Sequence, residues 1–154
     1  VIFPIGYFKG ANMFKVNIGA RFPGTCEQAF KFYKSVFGGE FLAFLRIGDD
    51  PYTKANSPQE EHGKVAFVSL QLGNVIFGGA DDAPENIAGQ LTPGNMLGIS
   101  VEPDTKEEAD RLFKALAAGG KVTAEMADYP WGYLGSVTDK FGISWTVWYI
   151  PPRQ

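Results

Sequence analysis

The chain is 154 residues long, 45% hydrophobic and 20% charged, enough apolar material for one domain or two small fused units and too much for a disordered chain. Its formal net charge is −3 with Lys and Arg scattered, so nothing resembles the basic stripe of a nucleic-acid-binding surface. A single cysteine excludes an internal disulfide framework and fits a reducing compartment, the cytoplasm, and no apolar run reaches the roughly 18 residues that span a bilayer.

The first stretch, VIFPIGYFKGAN (1–12), is apolar and broken by Pro4 and Gly6. It reads as an extension upstream of a start at Met13 or as an added edge strand. FKVNIGARF then alternates, with Val16, Ile18, Ala20 and Phe22 on one side and Asn17, Gly19 and Arg21 on the other, which is the period of a half-buried strand. TCEQAFKFYKSVFGG, from Thr25, predicts an amphipathic helix. Thr25 and Gln28 suit a capping box, Ala29, Phe30, Tyr33 and Phe37 share a face, and Gly38-Gly39 close it. Strands are predicted at Glu40–Ile47, Lys64–Leu72 and Val75–Gly79, with GDDPYTKANSPQEEHG (48–63) as a long polar loop.

The second half repeats the first. NMLGISVEP alternates, with Leu97, Ile99 and Val101 opposite Met96, Gly98 and Ser100. TKEEADRLFKALAAGG, from Thr105, matches the earlier helix in its Thr cap, its Ala and Lys positions and its closing glycines. Ala109, Leu112, Phe113 and Leu116 form its apolar face. Strands follow at Lys121–Met126, Tyr133–Thr138 and Ile143–Ile150. On the last, Ser144, Thr146 and Trp148 lie opposite Ile143, Trp145, Val147 and Tyr149.

Each half therefore reads βαβββ, as modules of about 13–85 and 93–152 within one domain, 13–154. A helix laid on a four-stranded antiparallel sheet buries one sheet face and leaves the other open. Two such modules side by side form an eight-stranded cup with helices outside, and the concave face is where a small molecule would bind.

The repeated module, FYKSVFGGEF, the GDDP-containing loop, LAAGGKV and WGYLGSVTDKFGISW together resemble the vicinal oxygen chelate superfamily of glyoxalase I, bleomycin-resistance proteins and extradiol dioxygenases. The likeness is closer to its PhnB-like branch and runs from about Met13 onward. It implies the α+β glyoxalase/bleomycin-resistance fold, and homodimers, which the superfamily commonly forms. It also implies where a metal would be held, by a His or Glu from the first and last strand of each module. Those positions fall at Asn17 (Ile18 or Gly19 if the register slips), Phe77, Met96 and Thr146. None is an imidazole or a carboxylate, the donors such a cation needs. A His carried by PhnB-like proteins in the third strand is replaced by Phe67 in FVSLQLG.

Other candidates weigh less. His62, the only histidine, reads as a solvated loop residue. Cys26 sits in a first helical turn, where the dipole favours a thiolate, yet reads as a structural cysteine. The acidic pairs in GDDP (48–51) and GADDAPE (79–85) read as turns. In YPWGYLG (129–135), Tyr129, Trp131 and Tyr133 suit a flat or cationic ligand, or an interface. Arg21 binds an anion or pairs with an acid such as Glu40.

The expectation is metal-independent binding of an apolar or aromatic small molecule, without a cofactor. Phe67, Phe77, Met96, Trp131, Tyr133 and Trp148 would form the wall, and Asn17, Arg21 and Thr146 the polar contacts. The partners expected are this ligand and a second copy of the chain, with neither nucleic acid nor membrane. The competing reading is a glyoxalase- or dioxygenase-like enzyme that holds its metal through His62 with Asp49, Asp50 or Asp82. A third has the bulky rings filling a closed cup.

Overall fold

A computed structural model of the chain describes residues 16–82 and 91–152. The 1–12 extension, Met13 and the end of GADDAPE lie outside the described residues. The first unit comprises β1 (Ile18–Phe22), α1 (Cys26–Phe37), β2 (Phe41–Arg46), a short α2 (Pro51–Ala55), β3 (Val65–Leu72) and β4 (Val75–Asp81). The second comprises β5 (Ile99–Val101), α3 (Lys106–Ala117), β6 (Lys121–Tyr129), β7 (Gly132–Thr138) and β8 (Ser144–Tyr149). The chain thus folds as the α+β arrangement of two βαβββ units. Its strands divide into sheets of order β1-β4-β3-β2 and β5-β8-β7-β6.

Neither sheet is purely antiparallel, as the alternation alone suggested. β1 runs parallel to β4, and β5 parallel to β8. The helix explains this. It returns the chain to the starting end, so the next strand runs in the direction of the first. Two reversals later the fourth strand does so again, and it pairs with the first.

The helix ends differ from each other. Thr105 accepts from the backbone N–H of Glu108 at 3.1 Å, as a capping residue should. Thr25 makes no such bond. Its place is taken by Asp81, 7% exposed, whose carboxylate accepts from the N–H of Cys26 at 2.8 Å and of Val65 at 2.9 Å. One carboxylate from the end of β4 thereby ties the start of α1 to β3.

The segment 48–63 is not the extended loop its polarity predicts. Asp50 accepts from the N–H groups of Tyr52 and Thr53, at 3.0 and 2.9 Å, and Pro51 stands at the first helical position, so α2 forms. His62 Nε2 lies 3.1 Å from the carbonyl oxygens of both Lys54 and Ser57. Carbonyls only accept, so this nitrogen carries the proton and fastens the loop.

The helix-bearing faces of both sheets share one core. Phe30, Tyr33, Phe77 and Trp145 are wholly buried. Phe77 of β4 and Trp145 of β8 meet edge to face at 6.0 Å, and Tyr33 of α1 packs on both, at 5.4 and 5.5 Å. At its centre is Asp139, 3% exposed. It accepts from Tyr33 Oη at 2.9 Å, Trp145 Nε1 at 2.7 Å, and the N–H groups of Phe141 and Ile143 at 2.8 and 3.1 Å. Burial, then the charge of Asp139, pushes the Tyr33 phenol far above its ordinary range.

Cys26 is fully buried, and burial followed by the charges of Asp81 and Glu27 pushes its thiol up from 9.0 to about 12. The helix dipole does not win here. At pH 8 a disulfide reagent should find no reactive thiol in the native chain and one in denaturant; rapid native labelling would contradict the packing. The sign for stability follows. The folded chain keeps this proton to about 12 and the unfolded chain loses it from about 9, so the contribution is complete below pH 9 and is lost as pH rises through that window.

Candidate functional site

Each sheet turns one face away from the shared core. On the first sheet the pairings set Gly19 beside Gly78, Gly78 beside Ser69, Arg21 beside Ala80, and Leu45 beside Phe67. The Phe67 ring lies over Gly78, 3.6 Å from where a Cβ would be, and is 46% exposed. This open face is apolar at its centre. Arg21 stands at its edge in an ion pair with Asp82, while Glu40 pairs with Lys34 at 2.7 Å.

On the second sheet the open face is lined with hydroxyls. Ser100 pairs with Thr146, and Thr146 with Ser136, in one row; Ser144 pairs with Thr138 in the next. Ser136 Oγ and Thr146 Oγ1 are 3.1 Å apart. Trp148 continues the face beside Leu134. Its Nε1–H is buried and, among the described residues, has no acceptor. A Cβ on Gly132 would come within 2.5 Å of that nitrogen, so the indole edge is tucked under the β6–β7 turn. Beyond that turn Tyr129 and Trp131 stack at 5.4 Å and 14°, with Trp131 60% exposed.

Of the residues expected to bind ligand, Arg21, Phe67, Thr146 and Trp148 lie on these open faces. Trp131 is exposed in the β6–β7 turn, one residue before the Gly132 that covers the Trp148 indole edge. Asn17 is exposed just before β1, and Met96, 98% exposed, lies in the segment leading to β5. Two expectations are corrected. Phe77 faces the core, because its register partner Ile18 and its neighbour Leu70 are on the helix side. Tyr133 also faces the helices. Its hydroxyl donates to Asp110 at 2.7 Å, the Lys106 ammonium sits 4.5 Å from its ring centre, and the Asp110 bond, then burial, raises the phenol to about 12. Sequence reasoning had also passed over the hydroxyls of Ser100, Ser136 and Thr138. Their signal was present, since Ser136 and Thr138 alternate with buried residues and Ser100 with the partly buried Ile99 and Val101.

The register also resets the positions where the superfamily would hold a metal. Phe77 and Trp145 are equivalent, each pairing with the isoleucine of its unit's first strand. The open-face equivalent of Thr146 is therefore Gly78, and their partners are Gly19 and Ser100. Two glycines and two hydroxyls offer no imidazole, carboxylate or thiolate, so this set does not fit a divalent metal. The alternative donors are engaged elsewhere. His62 holds backbone carbonyls, Asp49 accepts from the Arg46 N–H, Asp50 caps α2, and Asp82 pairs with Arg21. Among the described residues no group of three or more His, Cys, Asp or Glu is gathered for a metal.

A separate cleft of about 930 Å³ lies between the units on the helix side, floored by Ile18, Phe37, Ile99 and Leu112. No described helix is long and apolar enough to cross a membrane.

Known proteins share this architecture. A crystal structure of protein PA1353 from Pseudomonas aeruginosa is 31% identical, covering 90% of this chain and 99% of that one, with a TM-score of 0.79. The PhnB protein of Bacillus cereus is 26% identical, covering 88% and 99%, with a TM-score of 0.69. A glyoxalase/bleomycin resistance/dioxygenase family enzyme from Burkholderia phytofirmans, 19% identical over 88% of this chain and 95% of its own, shares the fold with a TM-score of 0.60. The family model described as 3-demethylubiquinone-9 3-methyltransferase matches residues 15–148. The chain belongs to that PhnB-like family, built on the glyoxalase/bleomycin-resistance/dioxygenase fold.

Proposed function

We propose that the chain binds an apolar or aromatic small molecule without a metal, and does so as a homodimer in which open sheet faces of two copies close a cup. The observation that carries this reading is the row Gly19, Gly78, Ser100 and Thr146, which holds no metal donor where the fold would place one. The assembly is supported by the shared core. Phe77 and Trp145 join the helix-bearing faces of the two sheets, so the open faces point away from that core. Phe67 and Leu45, each 46% exposed, then await cover from another chain or a ligand. Binding would rest on burial of an apolar body, with few orienting hydrogen bonds.

The test is calorimetric titration of chelator-stripped protein with Zn, Ni, Mn and Fe(II), beside sedimentation equilibrium. No stoichiometric metal binding and a dimeric mass are expected. One equivalent of metal bound at micromolar affinity or tighter would overturn metal independence. A monomeric mass at tens of micromolar would overturn the shared cup.

A further inference from the structure

We propose, resting on the reading of the open faces as a ligand cup, that the second sheet's face selects a flat aromatic oxyanion, such as an aryl carboxylate or sulfonate. The registered rows decide this. The face displays Ser100, Thr146 and Ser136 in one row and Ser144 and Thr138 in the next. Lys121 extends the second row, being paired with Thr138. Its neighbour Val122 packs on the core, so Lys121 faces the open side. The residues registered on this face in β5, β7 and β8 include no carboxylate, and on the edge strand β6 the exposed Glu125 lies four residues from Lys121.

The polar chemistry is one-sided. Hydroxyls donate or accept, but Lys121 only donates. The lysine makes no ion pair among the described residues. Neighbouring strands are about 4.8 Å apart, so a flexible lysine stem spans the step from Lys121 over Thr138. An oxyanion above these rows would accept from several hydroxyls and a cation at once. The flat body of Trp148 would take the aromatic part, with the exposed Trp131 of the β6–β7 turn one residue from the Gly132 that covers its edge. A cationic ligand would meet Lys121 and find no counter-charge on β5, β7 or β8. A neutral apolar ligand would leave the hydroxyls paired only with one another.

The test uses two dyes with one body: anilinonaphthalene sulfonate and its uncharged parent, N-phenyl-1-naphthylamine. Fluorescence titration compares the full chain with Lys121→Met and Thr146→Val, each checked for an unchanged far-ultraviolet spectrum and dimer mass. Lys121 is exposed, so its replacement should leave folding intact. Lys121→Met should weaken the sulfonate about tenfold and Thr146→Val about fivefold, with the neutral dye unchanged within about twofold. Added salt should weaken only the sulfonate. Neutral-dye binding together with sulfonate binding that ignores both variants would overturn the anion preference and leave the cup standing. Equal losses for both dyes would mark the two side chains as merely structural and overturn it too. Failure of both dyes to bind the unmodified chain would sink the cup and this inference together, whereas binding of the neutral dye alone would overturn only the anion preference.

Discussion

Asp139→Ala should destabilise the fold by about 3–5 kcal/mol, a large share of the roughly 5–15 kcal/mol that holds a domain of this size together. The carboxylate is 3% exposed and accepts from four donors: the Tyr33 hydroxyl, the Trp145 indole and the N–H groups of Phe141 and Ile143. Alanine strands the Tyr33 and Trp145 donors away from water and takes the acceptor from the two part-buried N–H groups. Two of the donors form the turn into β8. The Tyr33 hydroxyl comes from α1 of the other unit, so the same carboxylate fixes the strand and docks the units. Asp139→Asn keeps an acceptor oxygen but turns an amide N–H₂ toward other donors, so it should fall between alanine and wild type. Tyr33→Phe removes a single bond and should cost only about 1 kcal/mol. Urea midpoints, with slopes compared, measure the series. An Asp139→Ala variant within about 1 kcal/mol of wild type would mean that water reaches those donors and that the hub is not buried in solution.

Legibility followed periodicity. The alternation in β8 separated buried Trp145 and Val147 from Ser144, Thr146 and Trp148, and the structure keeps that division. The repeated helices were equally clear, because Thr, Ala and paired glycines recur at matching spacing. β4 was misread for a physical reason. Val75, Ile76 and Phe77 are consecutive apolar residues, and Gly78 and Gly79 have no side chain to mark a face, so sequence left its phase open. Packing settled it when Phe77 entered the ring cluster. Tyr133 misled in another way. A ring with a polar tip suits a pocket, and it equally suits a sheet where an acid on the covering helix, Asp110, takes its proton. The partner of Arg21 was beyond local patterns altogether, since Asp82 reaches it only through the parallel pairing of β1 with β4. The parallel pairing itself is a property of the crossover, which no strand's own alternation records.

Gly79→Ala should cost about 3 kcal/mol, although it adds a single methyl group. A Cβ at this position would stand 2.2 Å from Phe30 Cε2, 2.8 Å from its Cζ and 3.2 Å from Cys26 Sγ. The ring cannot yield easily. It is fully buried and held by Phe22 at 6.1 Å, Tyr33 at 5.7 Å and Phe77 at 5.1 Å. Relief therefore requires α1 to lift from the sheet, which would also stretch the Asp81 bond to the N–H of Cys26. Gly19→Ala is the control. It lies in the adjacent strand of the same sheet, but on the open face, and its Cβ meets nothing within 4 Å. That change should stay within about 0.5 kcal/mol of wild type. Phe30→Leu in the Gly79→Ala background should recover part of the loss, because a shorter side chain vacates the space the methyl needs. Urea unfolding of the three variants decides the matter. If Gly79→Ala matched Gly19→Ala, α1 would not press on the sheet as closely as this packing requires. A large loss with partial rescue would show that the absence of a side chain at Gly79, rather than backbone freedom, seats the first helix on its sheet.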